Sequence, residues 1–303
     1  MTAQLLLGDP IAERIRRELE RDVADLALRG VRPRLASLHA GDNPSIRLYL
    51  RKQAQACAEI GIEQVEIPLP GDIARDDFRS RIDALNRDPA VHAMILHTPL
   101  PDHLDVRGLW DAIDPGKDAE CMHPFNLGSL LGGTSPVTPC TPMAAVELLR
   151  VARPSLAGVE VVIVGHSTLV GKPLALLLLE SKREAPTITI CHVATRDLAA
   201  HTRRAEVLVV AVGKPGMVRG DMIRPGAVVV DIGQNVVAER DAQGHPVLNE
   251  KGRPRKRTVG DVVHEEALQI AGALTPVPGG VGPVTVTLLL RNVVSCARRA
   301  LRT

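Results

Sequence analysis

The chain has 303 residues, of which 45% are hydrophobic and 24% charged, and its formal net charge is +2. These values are typical of a globular protein of about two domains, without the basic excess common among nucleic-acid-binding proteins. The four aromatic residues are too few for a base-stacking surface, so we expect no nucleic-acid partner.

The first half of the chain alternates between predicted helices and strands. Asp9 and Pro10 suit a helix N-cap and first position, and apolar residues then recur at helical spacing as far as Leu28. Further helices are predicted over 45–60, 76–88 and 104–113 and from the segment 139–142 to about 151, with strands over 34–40, 64–68 and 93–97. The segment 114–133 is expected to be irregular. This alternation predicts parallel β-α-β units.

The second half repeats the pattern more clearly. Strands rich in β-branched residues are predicted over 161–164, 187–191, 207–212 and 227–231, and a leucine-rich helix follows the first of them as far as Leu179. This indicates a Rossmann-like, doubly wound α/β domain. The segment 236–257 is predicted to be an exposed hairpin, with a turn at Gln243–Gly244 and a basic tip over Lys251–Arg257. The tip is either a solvated loop or a phosphate contact.

A loop over Thr275–Thr285 holds three prolines and three glycines in eleven residues. Proline fixes φ and glycine permits positive φ, so the loop is predicted to be rigid and to let a flat ligand approach its backbone. It follows the apolar run 271–274 and leads into a C-terminal helix, which places it at a junction between two domains, where ligand clefts tend to lie. A stiff connector is the alternative interpretation.

A glycine-containing turn, Gly165-x-Ser167-x-x-x-Gly171, lies between a predicted strand and a predicted helix. Gly165 can form the tight turn, Ser167 can bond a diphosphate, and the helix N-terminus favours anions. Two later strand ends, Val212–Gly216 and Asp231–Gln234, also carry glycines where a dinucleotide would lie. A plain strand-to-helix turn is the alternative.

No acidic residue stands at the end of the second strand of this domain, where a ribose 2′-hydroxyl is often bound. His192 and Arg196 stand there instead, and either could meet a 2′-phosphate, which favours NADP over NAD. Either could equally be a surface residue.

The five cysteines are dispersed and form no C-x-x-C pair. Such a set favours reduced thiols in a cytoplasm over a disulfide framework or a metal site. We expect no signal peptide, because the N-terminal segment is short and uncharged, and no membrane span, because no stretch approaches about 18 uninterrupted apolar residues.

Several long motifs carry a family resemblance over nearly the whole chain. They are Gly41-Asp-Asn-Pro44 followed by Tyr49, Pro99-Leu-Pro101, Lys117-Asp118, His123-Pro124-x-Asn126, Pro139-Cys-Thr-Pro142, the Gly165–Pro173 turn, Val212–Gly216, Gly260-Asp-Val262 and Thr275–Thr285. In these motifs the chain resembles the methylenetetrahydrofolate dehydrogenase/cyclohydrolase family.

The resemblance implies a folate-type α/β catalytic domain over 1–145, completed by a C-terminal helix within 280–303, and a Rossmann NAD(P)-binding domain over 146–279. It also implies a cleft between the domains, a homodimer, a tetrahydrofolate derivative as substrate and NADP, with NAD as an alternative, as cofactor. The implied cofactor-binding residues are Gly165, His166, Ser167, Arg196, Val212, Gly213 and Gln234. The implied substrate-binding residues are Tyr49, Thr98, Pro99, Glu120, Pro278, Gly279, Gly280 and Thr285.

The resemblance breaks at the catalytic side chains. The family pattern has lysine four residues after Tyr49, glutamine before the Leu-Pro turn and aspartate before a glycine, whereas this chain has Gln53, His97 and Glu120. Lys52 is one residue away from the lysine position, which is about 100° of helical rotation, so it should point elsewhere.

These changes affect the two family reactions differently. Oxidising a methylene bridge between two nitrogens needs no protein base, whereas hydrolysing the methenyl product needs proton transfer, which Gln53 cannot perform. His97 could take over proton transfer with a pKa near operating pH, and Glu120 could pair with a 2-aminopyrimidinone edge. The plainer alternatives are a solvated helix residue at 53, a hydrogen-bonded core histidine at 97 and a loop carboxylate at 120.

The favoured hypothesis is therefore NAD(P)-dependent oxidation of 5,10-methylenetetrahydrofolate with doubtful cyclohydrolase activity, and with Tyr49, Gln53, His97 and Glu120 as the catalytic candidates. One alternative is a related enzyme that acts on another one-carbon or pterin-like substrate. A second is a catalytically silent nucleotide-binding paralogue.

Overall fold

The computed structural model describes residues 2–181, 183–241, 243, 245–250 and 252–301. Gly244 of the predicted hairpin turn and Lys251 of the predicted basic tip lie outside the described residues. The chain divides into two compact units. The six-stranded unit comprises Met1–Ile11 and Thr141–Val284, and the three-stranded unit comprises Ala12–Cys140 and Thr285–Thr303. In the described part of the chain, no helix combines the length and apolar character that a membrane crossing requires.

Eleven strands and ten α-helices are assigned in the described residues. In chain order they are β1 (Gln4–Leu5), α1 (Asp9–Leu28), β2 (Arg34–Ala40), α2 (Pro44–Glu59), β3 (Glu63–Leu69), α3 (Arg75–Arg87), β4 (Ala93–Leu96), α4 (Val106–Trp110), α5 (Pro124–Leu131), α6 (Cys140–Ala152), β5 (Glu160–Val164), α7 (Gly171–Leu179), β6 (Thr187–Cys191), α8 (Leu198–Thr202), β7 (Val207–Val210), β8 (Val228–Asp231), β9 (Asn235–Ala238), β10 (Lys256–Val259), α9 (His264–Ile270), β11 (Ala273–Leu274) and α10 (Val281–Ala300).

The six-stranded unit is built on a parallel sheet with the strand order β1-β11-β8-β7-β5-β6. The central strands β5, β7 and β8 are almost continuous runs of valine, isoleucine and leucine, and these side chains are buried. Such runs are typical of parallel strands covered on both faces. The predicted α/β, doubly wound arrangement is therefore confirmed for this unit.

The three-stranded unit is built on a second parallel sheet, in which β2 lies between β3 and β4. All but the first residue of β2 are buried. One face of this sheet packs on α3 through a core that includes Leu38, Phe78 and Ile82. The other face carries polar side chains, among them Ser37 and His39 of β2.

Two buried carboxylates brace the loops at the carboxyl edge of the six-stranded sheet. Asp231, at the end of β8, accepts backbone hydrogen bonds from Gly233 (2.9 Å), Asp261 (3.0 Å) and Val262 (2.9 Å). Burial raises the pKa of Asp231 to about 6, while these hydrogen bonds act in the opposite direction. The Asp261 carboxylate in turn accepts hydrogen bonds from the backbone N–H groups of Val212 (2.6 Å) and Gly213 (2.9 Å).

The predicted hairpin is present as the antiparallel pair β9 and β10. The described basic residues before and within β10 are exposed, as expected of a solvated surface; they are Arg253, Arg255, Lys256 and Arg257.

Several element boundaries differ from those predicted. The helix predicted over 104–113 is only α4, and the segment predicted to be irregular contains α5. Pro124 occupies the first turn of α5, and the His123 ring accepts a hydrogen bond from the Phe125 N–H (3.0 Å), so local capping stabilises this short helix. The two residues of β1 were not predicted, because so short a strand has no detectable periodicity.

The predicted domain boundaries also differ from the observed units. The first eleven residues group with the six-stranded unit, since Gln4 and Leu5 pair with Ala273 and Leu274. The predicted division at 145/146 lies five residues beyond the observed one at 140/141. The C-terminal residues from Thr285 onward group with the three-stranded unit, close to the predicted start at 280.

We expect Gly260→Ala to destabilise the six-stranded unit by about 3 kcal/mol, because a Cβ at this buried position would overlap the Asp231 carboxylate and disturb its three hydrogen bonds. Gly128→Ala is the control, since Gly128 is an exposed helical residue with open space around it and should be neutral or slightly stabilising. Urea unfolding curves measure both changes. Equal stability of Gly260→Ala and the parent chain would contradict this expectation.

Candidate active site

The side of the three-stranded sheet that faces away from α3 carries polar side chains, and we call Ser37, His39 and His97 among them the polar face. Ser37 and His39 alternate with Leu38, so they lie on the side opposite to it. The strand register places His97 level with His39, and the His97 N–H donates to the Leu38 carbonyl (2.8 Å). Parallel neighbours at one level point to the same side, so these residues share a surface.

Helix α2 presents Tyr49 and Gln53 to the polar face, because residues four apart lie on one side of a helix. Gln53 is 0% exposed, and its Oε1 accepts a hydrogen bond from the Ser37 hydroxyl (2.9 Å). Its buried Nε2 has no hydrogen-bond partner among the described residues. The interpretation of Gln53 as a solvated helix residue is therefore wrong. Lys52 is exposed, as its rotation on the helix predicted.

His97 stands beside Tyr49, with ring centroids 5.5 Å apart in an edge-to-face arrangement. It is 6% exposed, and its buried Nε2 lacks a partner within the described part of the chain. Burial, with a smaller contribution from His39, lowers the pKa of His97 to about 4. The expectation that His97 titrates near operating pH is therefore wrong, and the imidazole is neutral there. His39 contacts Glu66 on β3 (2.9 Å).

Glu120 follows β4 in a loop that Asp118 organises. The Asp118 carboxylate accepts hydrogen bonds from the backbone N–H groups of Glu120 (3.1 Å) and His123 (2.8 Å) and from Asn126 Nδ2 (2.9 Å). The Glu120 residue is half-buried, but its carboxyl group is surrounded by protein. Burial raises the pKa of this carboxyl to about 8, and the Asp118 charge adds to the increase.

Burial also raises the pKa of the Tyr49 phenol well above its usual value, and the charge of Glu120 contributes. The structure therefore gathers the four catalytic candidates in one unit: Tyr49, Gln53, His97 and Glu120. At neutral pH none of them carries a full charge, which distinguishes this site from one that holds a lysine.

The predicted substrate-binding loops are distributed over both units. Thr98 and Pro99 follow β4 and are exposed. Pro278, Gly279 and Gly280 belong to the six-stranded unit, where Gly279 has a φ of 106°. Thr285 lies on α10 in the part assigned to the three-stranded unit. Their roles in substrate binding stay predictions.

The glycine turn lies at the carboxyl end of β5, at the edge where Asp231 and Asp261 brace the neighbouring loops. Gly165 has a φ of 126°, and a Cβ there would overlap the carbonyl of Ala211. The buried Gly171 likewise packs on the Gly165 backbone, so neither position accepts a larger residue without rearrangement. His166 and Ser167 are exposed within the turn. The Ser167 hydroxyl accepts the Val170 N–H (3.1 Å) and so also stabilises the start of α7.

Residues after adjacent strands meet at this edge. The rings of His166 and His192 lie 4.9 Å apart in an edge-to-face contact. His192 Nδ1 accepts the Ala194 N–H (3.2 Å), so its proton lies on Nε2 and faces outward as a donor. Arg196 is exposed a few residues further along.

The other predicted contacts lie on later loops of the same edge. Gly213, with a φ of 65°, and Gln234 are exposed, and Val212 is held by its hydrogen bond to Asp261. A dinucleotide fits this arrangement, since close-packed glycines and exposed donors stand together at a helix N-terminus.

Three important residues were not singled out from the sequence. Ser37 and His39 are polar residues at alternate positions of an otherwise apolar buried strand, and this alternation is the signal that could have revealed them. Asp261 lies within the quoted motif Gly260-Asp-Val262, but its bracing role depends on contacts with loops about fifty residues away in sequence.

Two sequence profiles match most of the chain. Residues 6–120 match "Tetrahydrofolate dehydrogenase/cyclohydrolase, catalytic domain", and residues 139–301 match "Tetrahydrofolate dehydrogenase/cyclohydrolase, NAD(P)-binding domain". The chain is 44% identical over 301 residues to the bifunctional protein FolD of Bordetella avium, covering 99% of both chains.

Solved structures agree with these matches. The methylenetetrahydrofolate dehydrogenase-cyclohydrolase of Trypanosoma brucei, solved with NADP cofactor and an inhibitor, is 35% identical with a TM-score of 0.90 and full coverage of both chains. The bifunctional FolD of Campylobacter jejuni is also 35% identical, with a TM-score of 0.87, covering 98% of this chain and 99% of its own.

Proposed function

We propose that this chain, which belongs to the tetrahydrofolate dehydrogenase/cyclohydrolase family, oxidises 5,10-methylenetetrahydrofolate with NADP⁺ as the hydride acceptor. The observation that carries the proposal is the intact carboxyl edge of the six-stranded sheet. There Gly165, Gly171 and the two bracing carboxylates keep the backbone in the form that a dinucleotide requires. The relatives' full-length agreement supports the same activity.

Hydride transfer tolerates the altered pocket. The methylene carbon loses hydride while the lone pairs of its two nitrogens stabilise the cation that forms, so no protein base is consumed. When bound, the nicotinamide ring supplies the hydride acceptor. The task left to this chain is orientation of the substrate, which the half-buried Tyr49 and the buried Gln53 suit.

Hydrolysis of the methenyl product by the family's lysine route is absent, because Gln53 cannot accept or donate a proton as an acid or base. Its amide is also fixed by Ser37, which leaves only a donor directed away from that hydroxyl. We therefore infer that hydride transfer outpaces hydrolysis and that the methenyl compound builds up during turnover.

NADP is the preferred cofactor in this proposal, with NAD as the slower alternative. His166, His192 and Arg196 stand beyond β5 and β6, where an adenosine 2′-phosphate would lie. The nearby carboxylate of Asp197 caps α8 by accepting the Ala200 N–H (3.2 Å). Arg196 supplies a permanent positive charge, and His192 supplies an outward-facing N–H donor.

We further propose that the chain works as a cytoplasmic homodimer, as the family resemblance implies. The five cysteines are free and buried, which suits a reducing compartment.

The direct test mixes purified protein with 5,10-methylenetetrahydrofolate and NADP⁺, and NAD⁺ in parallel. We expect NADPH to form with a higher kcat/KM than NADH, and methenyl product to accumulate and then decay more slowly than it formed. Acid-quenched samples separate the absorbance of the methenyl product from that of reduced cofactor. No reduction of either cofactor would contradict the proposal.

A second prediction concerns Glu120. Pairing with the amino and ring N–H donors of a 2-aminopyrimidinone edge needs the carboxylate, yet most Glu120 is protonated below pH 8. Substrate binding must therefore release a proton, so KM for the folate should fall as pH rises toward 8, by up to about tenfold per pH unit. Steady-state kinetics between pH 6 and 9 measure this.

Glu120→Gln cannot ionise and should show a KM independent of pH over this range. Glu63→Gln, which alters a carboxylate paired with Arg34 in the same unit, should keep the parent profile. A flat profile for the parent chain would contradict the assigned role of Glu120.

A further inference from the structure

Two buried nitrogen atoms on the polar face are without hydrogen-bond partners among the described residues: Gln53 Nε2 and His97 Nε2. Gln53 is 0% exposed and His97 is 6% exposed. An unpaired buried polar group costs about 1–3 kcal/mol, so such a group commonly meets a water molecule or a ligand. Tyr49 lies near both residues, since it is on the same side of α2 as Gln53 and its ring contacts His97.

Ser37 decides which atom of the Gln53 amide is unpaired. Its hydroxyl donates to Gln53 Oε1 (2.9 Å), so the amide oxygen is engaged and the NH₂ group is directed elsewhere. Ser37 lies two residues from the level of His97 in the strand register, on the same side of the sheet. The Gln53 donor and the neutral His97 imidazole therefore lie on the same side of the sheet, the first one helical turn from Tyr49 and the second in contact with its ring.

We propose that Gln53 and His97 bind and activate the water that hydrolyses the methenyl bridge, with Ser37 as a positioning residue, by a route that dispenses with lysine. The inference rests on the proposed function, because the methenyl substrate is the product of its oxidation step. The inference assigns a role to Ser37. It also means that methenyl hydrolysis persists without the lysine, by a second and slower mechanism.

The chemistry balances with these residues alone. The Gln53 NH₂ donates to the water oxygen, and His97 Nε2, in the Nδ1–H tautomer, accepts a water proton as the oxygen bonds to the methenyl carbon. The resulting tetrahedral carbinol collapses to a formyl group. One C–N bond breaks, His97 returns its proton to the leaving nitrogen, and the hydroxyl proton passes to solvent. The net change is addition of water and release of one proton.

The groups around His97 fit a base that is unprotonated at rest. Tyr49 faces it from α2, His39 stands beside it on β2 with Glu66 behind on β3, and Glu120 follows β4. Burial and His39 disfavour the imidazolium, so His97 is unprotonated at neutral pH and takes up a proton only as the water oxygen bonds to the methenyl carbon. The same surroundings make the imidazolium a strong acid, which favours return of the proton to the leaving nitrogen.

The experiment supplies methenyltetrahydrofolate directly and follows its loss with and without protein, so hydrolysis is measured apart from oxidation. We expect the parent chain to exceed the buffer rate and His97→Asn to lower kcat at least about 100-fold. Ser37→Ala should lower kcat about tenfold with little change in KM, and Ser37→Thr, which keeps the hydroxyl, should restore most of it.

Ser129→Ala is the matched control, because it removes one half-buried hydroxyl from α5 in the same unit and should leave hydrolysis unchanged. Hydrolysis no faster than in buffer, or full kcat in either His97→Asn or Ser37→Ala, would overturn the inference. NADPH formation by the parent chain is recorded separately. Its absence would count against the proposed oxidation, whereas its presence without enzymatic hydrolysis would count only against this inference.

Discussion

Burial of polar side chains on one face of a small parallel sheet is the constraint on which this site depends. Ser37, His97 and Gln53 are packed between β2, β4 and α2, where an unpaired charge would be costly. The pKa values respond together: that of His97 falls and those of Tyr49 and Glu120 rise, so each group favours its neutral form. Glutamine at position 53 fits this surface, because it offers hydrogen-bonding atoms without adding a positive charge.

At the carboxyl edge of the six-stranded sheet, buried polar groups are stabilised in a different way. Its buried carboxylates, Asp231 and Asp261, are surrounded by backbone N–H donors. Those donors lie on loops that are distant in sequence, so the two side chains hold together the surface on which a dinucleotide would rest. Rigid backbone forms this edge, whereas the polar face of the other unit carries side chains that are incompletely paired among the described residues.

Much of the scaffold could be predicted from the sequence. Runs such as 161–164 and 207–210 can be identified as buried parallel strands because their apolar, β-branched composition is enough to predict that structure. The turn at Gly165 can be predicted because its glycines act on the local backbone conformation. Helix α5 and strand β1 escaped prediction because the first depends on a cap by His123 and the second on pairing with Ala273 and Leu274.

The site was predictable only in part. The positions that depart from the family pattern were evident, but their protonation depends on burial, which a single sequence does not report. His97 is neutral because three elements enclose it, and Gln53 is oriented by Ser37, sixteen residues earlier on another element. Because such contacts join residues that are distant in sequence, the sequence predicted which residues form the site but not their protonation or orientation.

The most direct test of this account is the protonation of His97, followed by NMR of protein with ¹⁵N-labelled histidine. Comparison with His97→Asn assigns the resonance. The account predicts a neutral imidazole from pH 8 down to about pH 5, with protonation only near the pKa of about 4 that burial imposes. Titration of His97 with a midpoint near 6.5 would contradict it, because the polar face would then be open enough to hold a charge.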